Sequence, residues 1–227
     1  MLKTITLIAF LATVCAVKTD AQKKPAETKA NSPAPQASNK VNRRPISKSA
    51  AEPFAKATVE AMAAQCVKLE TGAGVVELEM FPESAPETVR AFLNLVAGGF
   101  LDTTTFSRVV PGFIVQGGNL STREKRTAEI DKRSWLTVPD EPNPIKHERG
   151  ILSMARADAP NSATTNFFIL VGEARHLDGT FAAFGRVTSG MEIVDAINKM
   201  PVEADKPTKP VRLNRATTAL CPVKPNI

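Results

Sequence analysis

Residues that exchange protons or attack a carbonyl near neutral pH are scarce in this chain. Its two histidines are His147 and His176, and a hydrolase would need one of them as an oriented base beside a hydroxyl such as that of Ser107. His147 ends a loop-like run that starts at Pro144, where a structural hydrogen bond is the better interpretation. A zinc site is equally unsupported, because these histidines and the distant cysteines lack close ligand spacing.

Two ordered blocks of sequence carry a stronger signal. The first block, from Phe106 to Gly118, has the letters FSRVVPGFIVQGG. The second block has the following pieces, in this order: Gly150–Ala157, Pro160-Asn161, Phe167–Ile169, Leu177–Gly179 and Phe184-Gly185. The two blocks resemble the cyclophilin family of peptidyl-prolyl cis-trans isomerases, and the resemblance extends from about Val67 to Cys221.

The reaction that this resemblance implies is rotation about an X-Pro amide, which has a barrier of ~18–20 kcal/mol. No bond breaks, so neither a cofactor nor a metal is required. The rate rises when the enzyme binds the twisted amide better than the planar one, and the nitrogen of the twisted amide accepts a hydrogen bond. By the resemblance Arg108 is the donor, and its guanidinium suits that role because it stays charged and presents a planar fork of donors.

The resemblance assigns the remaining site residues as well. Phe113 and Gln116 join Arg108 in the catalytic group, with Gln116 orienting the guanidinium and contacting a substrate carbonyl. The expected substrate-binding residues are Ile114, Ala155, Arg156, Asn166, Phe168, His176, Leu177 and Phe181. The alternative function is a binding module that holds proline-containing chains without turnover, and the joint presence of Arg108, Phe113 and Gln116 favours catalysis.

Five positions depart from the family pattern. Arg156 replaces an asparagine whose backbone binds the peptide. Ser107 replaces a histidine found in many relatives, Asn119 replaces the usual aspartate, and Phe181 replaces a histidine found in some relatives. None of these changes removes a group that the reaction needs. His176 replaces the tryptophan of cyclosporin-sensitive relatives, so we expect this drug to bind weakly.

Short strands and two helices must position these residues. Alternating apolar residues on either side of Gly72–Gly74 predict two strands, and Ser84 and Ser189 each begin a capping box that predicts a helix. Further β-like runs are Thr104–Val109, Phe113–Val115, Ile151–Met154, Phe167–Val171 and Phe181–Val187. The resemblance implies a mainly β fold, a closed eight-stranded antiparallel barrel capped by two α-helices, with a core filled by side chains.

The start of the chain has the pattern of a secretory signal peptide, residues 1–21. Its apolar run from Ile5 to Val17 is shorter than the roughly 20 residues that span a bilayer. Residues 22–65 are predicted to form a disordered, basic linker with a short helix starting at Glu52-Pro53. The isomerase domain is expected over 66–223 with a tail at 224–227, and the protein is expected to be exported to a periplasm or secreted.

The positive charge is concentrated in the linker. Residues 22–65 contain eight basic and three acidic residues, which gives +5 of the net +6. Such a segment is typical of a solvated tether rather than a nucleic-acid surface. We therefore expect proline-containing polypeptides as partners, no nucleic acid, no membrane span after signal cleavage, and a monomer.

Two cysteines, Cys66 and Cys221, remain after signal cleavage. The family's barrel pairs its terminal strands antiparallel, which brings the start of the first strand beside the end of the last. The resemblance therefore implies a disulfide, and disulfides persist in exported proteins. Two unpaired, partly buried thiols are the alternative that the sequence leaves open.

Overall fold

The structure is a computed structural model that describes residues 52–222. The predicted signal peptide, most of the predicted linker and the tail at 224–227 lie outside the described residues. The four α-helices of the described part are α1 Val59–Ala63, α2 Pro86–Ala97, α3 Ala128–Ser134 and α4 Met191–Asn198. The strands are β1 Gln65–Thr71, β2 Gly74–Met80, β3 Thr104–Thr105, β4 Arg108–Val110, β5 Ile114–Gly117, β6 Ile151–Met154, β7 Phe167–Leu170, β8 Ala183–Ser189, β9 Val202–Glu203, β10 Lys206–Pro207 and β11 Arg212–Leu220.

One antiparallel sheet of nine strands dominates the fold, in the order β3-β11-β1-β2-β8-β6-β7-β5-β4. The prediction of a mainly β, cyclophilin-like fold is confirmed, but the count of eight strands is wrong. The order begins at β3 and ends at β4, which follow each other in the chain. Strands β9 and β10 form a separate hairpin. Closure into a complete barrel and capping by two helices stay predictions.

The inner face of the sheet packs around buried aromatic rings. On β1 and β2, buried residues alternate with more exposed ones, as a half-buried strand requires. Phe92 of α2 enters this core and meets Phe167 and Phe184 edge-to-face, with ring centroids 5.2 and 5.1 Å apart. Helix α2 is therefore fixed against the inner face by the apolar stripe that its sequence predicts.

Neither of the two predicted capping boxes forms, although both predicted helices are present. Helix α2 has Ala85 at its N-cap, and the N–H groups of Glu87 and Thr88 donate to the Glu141 carboxylate at 3.0 and 2.7 Å. A negative group at this end is favourable because unpaired N–H groups point outward there. Helix α4 begins after Gly190, which has φ of 85° and no side chain to form a cap.

The described part of the predicted linker is folded and contains a short helix, as the sequence suggested for the stretch after Glu52-Pro53. The Arg90 guanidinium donates to the carbonyls of Phe54 and Ala57 at 2.8 Å, and the Phe54 N–H donates to Asn94 at 3.0 Å. These contacts hold the segment against α2. The short helix of this segment, α1, begins at Val59, not at Glu52-Pro53.

The first and last long strands, β1 and β11, pair antiparallel, with Cys66 opposite Ala219. Cys221 follows directly after β11, and the structure joins it to Cys66 by a disulfide, with Cα atoms 4.8 Å apart. That separation is within the usual range for a disulfide. Within residues 52–222, no helix is long and apolar enough to cross a membrane.

We predict that replacing both cysteines by serine lowers the free energy of unfolding by up to about 5 kcal/mol, because the bond constrains the unfolded chain over a sequence separation of 155 residues. Denaturant unfolding of the protein purified without reductant and of the double variant measures the difference. Thiol counting on the unfolded, non-reduced protein is the direct control. Two reactive thiols before reduction would contradict the bond.

Candidate active site

A row of four residues crosses neighbouring strands on the outer face of the sheet. Arg108 on β4 is opposite Gln116 on β5, Gln116 is opposite Phe168 on β7, and Phe168 is opposite Ser153 on β6. Residues directly opposite each other in a sheet share a face. The register therefore places two members of the predicted catalytic group, Arg108 and Gln116, beside a predicted pocket residue.

An apolar cluster lies on the same face and is separate from the inner core. Ile114, Phe168 and Leu177 are buried in it, and Phe113 and Phe181 pack against it while staying partly exposed. The rings of Phe168 and Phe181 are 6.2 Å apart. We call these five residues the outer apolar cluster. The rings of Phe113 and Phe181 are the part of this cluster that stays partly exposed.

The turn that carries Phe113 is held by a buried amide from α4. The Gly112 N–H donates to Asn198 Oδ1 at 2.8 Å. Asn198 Nδ2 donates to the carbonyls of Val110 and Ile114 at 2.9 and 3.0 Å. These three bonds satisfy the side chain and fix the turn, because a buried amide left unpaired would be costly. The sequence offers no local signal for Asn198, which is 84 residues from Ile114.

The Arg108 guanidinium is bound on one edge by a residue that the sequence did not indicate. Arg108 Nε and Nη2 donate to Asp205 Oδ2 at 3.3 and 3.1 Å. The side chains are 47% and 43% exposed. Within residues 52–222 the Gln116 side chain has no hydrogen bond, so its orienting role stays a prediction.

The predicted neighbouring residues lie around the same face. The Ala155 N–H donates to the Asn166 carbonyl at 3.0 Å, which brings these two residues together. The Arg156 guanidinium lies 5.0 Å from the centroid of the Phe181 ring, a cation–π distance. His176 is exposed and its ring centroid is 5.6 Å from that of Phe113.

At the end of the row on β6, three residues have the types of a serine-hydrolase triad without its accessibility: Ser153, His147 and Asp178. His147 Nε2 is 3.1 Å from Ser153 Oγ, and the backbone N–H of His147 donates to Asp178 at 2.8 Å. Ser153 is fully buried, and its hydroxyl donates to the Ala182 carbonyl at 3.0 Å. The predicted structural hydrogen bond of His147 is confirmed.

Burial also determines the charge of this histidine. It lowers the pKa of His147 below the ordinary value of 6.5, and the Asp178 carboxylate offsets only part of this effect. The imidazole therefore stays neutral near neutral pH and supports the sheet from within. A nucleophilic role for Ser153 is excluded, because no substrate carbonyl can reach its hydroxyl.

The site thus combines two partly exposed aromatic rings, Phe113 and Phe181, with the Arg108 guanidinium, which Asp205 binds on one edge. Such rings can contact a compact ring, and the guanidinium can donate to an atom held above it. The arrangement stabilises a shape or a charge distribution without transferring a proton. This is the chemistry that rotation about an amide requires.

Comparison with known proteins agrees with this geometry. Residues 66–218 match the family model described as cyclophilin type peptidyl-prolyl cis-trans isomerase/CLD. The chain is 34% identical over 168 residues to a peptidyl-prolyl cis-trans isomerase of Acinetobacter baylyi, covering 69% of this chain and 86% of the relative. It is 37% identical over 161 residues to peptidyl-prolyl cis-trans isomerase A of Dickeya dadantii, covering 66% and 82%.

A solved structure has the same fold. The cyclophilin type peptidyl-prolyl cis-trans isomerase of Cryptosporidium parvum, crystallised in the presence of the dipeptide Ala-Pro, superposes with a TM-score of 0.59 and 31% identity. The match covers 67% of this chain and 97% of that one. With the family model and the named relatives, it shows that this chain is an enzyme of the cyclophilin-type peptidyl-prolyl cis-trans isomerase family.

Proposed function

We propose that this domain isomerises X-Pro bonds in exported proteins and so assists their folding. The row of Arg108, Gln116 and Phe168 beside the outer apolar cluster is the observation that carries this proposal. The proline ring binds on the cluster between Phe113, Phe168 and Phe181. The backbone on either side of the proline then passes the Arg108 guanidinium.

In the proposed mechanism Arg108 donates a hydrogen bond to the proline nitrogen as the amide twists. The nitrogen lone pair is delocalised in both planar isomers and becomes available only near the transition state. The interaction therefore strengthens with rotation, which raises the turnover number rather than only the affinity. Gln116 contacts the carbonyl of the same amide, and Ala155, Arg156 and Asn166 border the residue before the proline.

Several observations support a proline-containing polypeptide as the substrate. The Cryptosporidium parvum relative was crystallised in the presence of Ala-Pro, and the partly exposed rings of Phe113 and Phe181 can contact a proline ring from solvent. His176 beside Phe113 limits the cluster at one end. We infer that the domain acts as a monomer and binds no nucleic acid, since its site uses one face of one sheet.

Export is supported by two independent features. The signal-like pattern of residues 1–21 is typical of secreted or periplasmic proteins, and a disulfide such as Cys66–Cys221 suits an oxidising compartment. We propose that the enzyme works there on chains that are still folding. A slow X-Pro bond limits such folding, since uncatalysed isomerisation takes tens to hundreds of seconds.

We predict that Arg108→Ala lowers kcat/KM for a proline peptide by about tenfold or more, because it removes a positioned transition-state donor. Arg108→Lys should restore little of it, since an ammonium lacks the planar fork. NMR exchange spectroscopy on an uncharged Ala-Pro peptide measures both rates. Arg149→Ala is the matched control, because Arg149 has the same exposure of 47% and also pairs with an aspartate, Asp195.

Unchanged turnover in Arg108→Ala would overturn the proposed mechanism. Measurable binding of the peptide with no exchange in the wild-type protein would instead support the alternative of a non-catalytic binding module. Folded state is checked by the thermal unfolding midpoint of each variant.

We also predict that pH acts on the fold rather than on the chemistry. For the uncharged peptide, kcat/KM should stay flat from about pH 5.5 to 8.5, because no acid or base takes part. Stability should fall below about pH 6.5: the pKa of His147 is lowered in the folded state, so the unfolded state binds more protons as the pH drops. Urea unfolding at several pH values measures this, and His147→Gln should flatten the slope.

A bell-shaped pH profile of kcat/KM would contradict the first half of this prediction. A free energy of unfolding that stays constant between pH 7 and pH 5 would contradict the second half. The two readouts are independent, since the rate is measured on the folded protein only.

A further inference from the structure

The hairpin of β9 and β10 ends in a turn with an unusual backbone. Its two turn residues, Ala204 and Asp205, have positive φ of 47° and 63°, and the flanking pairs are Glu203 with Lys206 and Val202 with Pro207. Glycine is the usual residue in this left-handed region, and aspartate tolerates it better than alanine does. The tip of the hairpin thus holds two non-glycine residues in a conformation that glycine usually adopts.

This tip is attached to the strand that carries Arg108. The Val109 N–H donates to the Asp205 carbonyl at 2.8 Å, so the backbone of Asp205 is fixed one residue away from Arg108. The Thr208 N–H donates to the Pro201 carbonyl at 3.0 Å and closes the base of the hairpin. The backbone hydrogen bond between Val109 and Asp205 therefore places the Asp205 carboxylate beside Arg108.

The carboxylate occupies only one edge of the guanidinium. A single oxygen, Asp205 Oδ2, accepts from both Nε and Nη2 of Arg108. The two N–H groups of Nη1 and the second one of Nη2 are left for another acceptor. The pair is half-exposed, and such a pair contributes little to stability. We therefore attribute to this ion pair an effect on the orientation of the Arg108 guanidinium.

We propose that Asp205 is a positioning residue for isomerisation: it holds Arg108 in the orientation that donates to the twisted amide. The inference rests on the proposed function of Arg108 and adds to it the group that orders this flexible side chain before substrate arrives. Ordering in advance removes an entropy loss that would otherwise fall on the transition state.

Asp205→Gly is the sharpest test, because glycine removes the carboxylate while favouring the left-handed turn. We expect kcat to fall roughly three- to tenfold with little change in KM, since a misplaced catalytic group costs rate. Ala204→Gly is the matched control, which relaxes the same turn and leaves the carboxylate in place. Asp205→Asn keeps an acceptor oxygen and tolerance for the turn, so it should retain most of the activity.

A double-mutant cycle with Arg108→Ala shows whether Asp205 acts through Arg108. In the Arg108→Ala background, Asp205→Gly should cause no further loss. The Arg108 Nε–H signal in a proton–nitrogen NMR spectrum should be protected from water in the wild type and exchange faster in Asp205→Gly.

The results separate this inference from the proposed function. If Arg108→Ala is impaired and Asp205→Gly is not, the positioning role is overturned and the proposed function stands. An equal loss in Asp205→Gly and Ala204→Gly would also overturn it, because the turn geometry and not the carboxylate would then be responsible. An unimpaired Arg108→Ala variant would overturn the proposed catalytic role of Arg108 on which this inference rests.

Discussion

The two-residue alternation of β5 is the constraint on which the rest of the structure depends. Ile114 and Gln116 face outward to the site, whereas Val115 and Gly117 face the inner core. A register slip of one residue would exchange these two faces. It would bury Gln116 and expose Val115. The inner position of Gly117 is also tight, because a Cβ atom added there would lie 3.2 Å from the rings of Phe106 and Phe167. Core packing therefore specifies which side chains of β5 lie on the face of the candidate site.

The long irregular segment between α3 and β6 depends on side chains instead of a sheet ladder. Glu141 accepts hydrogen bonds from the start of α2, Asn143 donates to the Ala183 carbonyl at 3.0 Å, and His147 binds Asp178 and Ser153. Each of these partners belongs to a different element of the core. A segment without regular structure needs such bonds, because its buried backbone and polar groups must all be satisfied. The bond between His147 and Ser153 joins this segment to the end of the row on β6.

The apolar periodicity of neighbouring residues predicted the main elements, whereas the local capping signals at Ser84 and Ser189 were misleading. The apolar alternation of β1 and β2 and the stripe of α2 follow from the periodicity of neighbouring residues. The cap of α2 could not be predicted, because Glu141 lies 53 residues from Thr88. The site residues came from resemblance, since Arg108 by itself looks like an ordinary surface charge. Asp205 gave no signal at all, because a turn with alanine and aspartate lacks the glycine or asparagine that marks most two-residue hairpins.

The candidate site lies on the outer face of the sheet, because core side chains occupy the inner face. Within the described residues, side chains such as Phe92, Phe167 and Phe184 fill the interior. Amide rotation tolerates an open site, because no reactive intermediate needs protection from water. Exposure has a cost, since water competes for the half-exposed Arg108 guanidinium and weakens each of its hydrogen bonds. An exposed donor is effective only if its geometry is fixed beforehand. Rigid neighbours such as the Asn198-bound turn and the β9–β10 hairpin therefore matter more here than they would in a closed cavity.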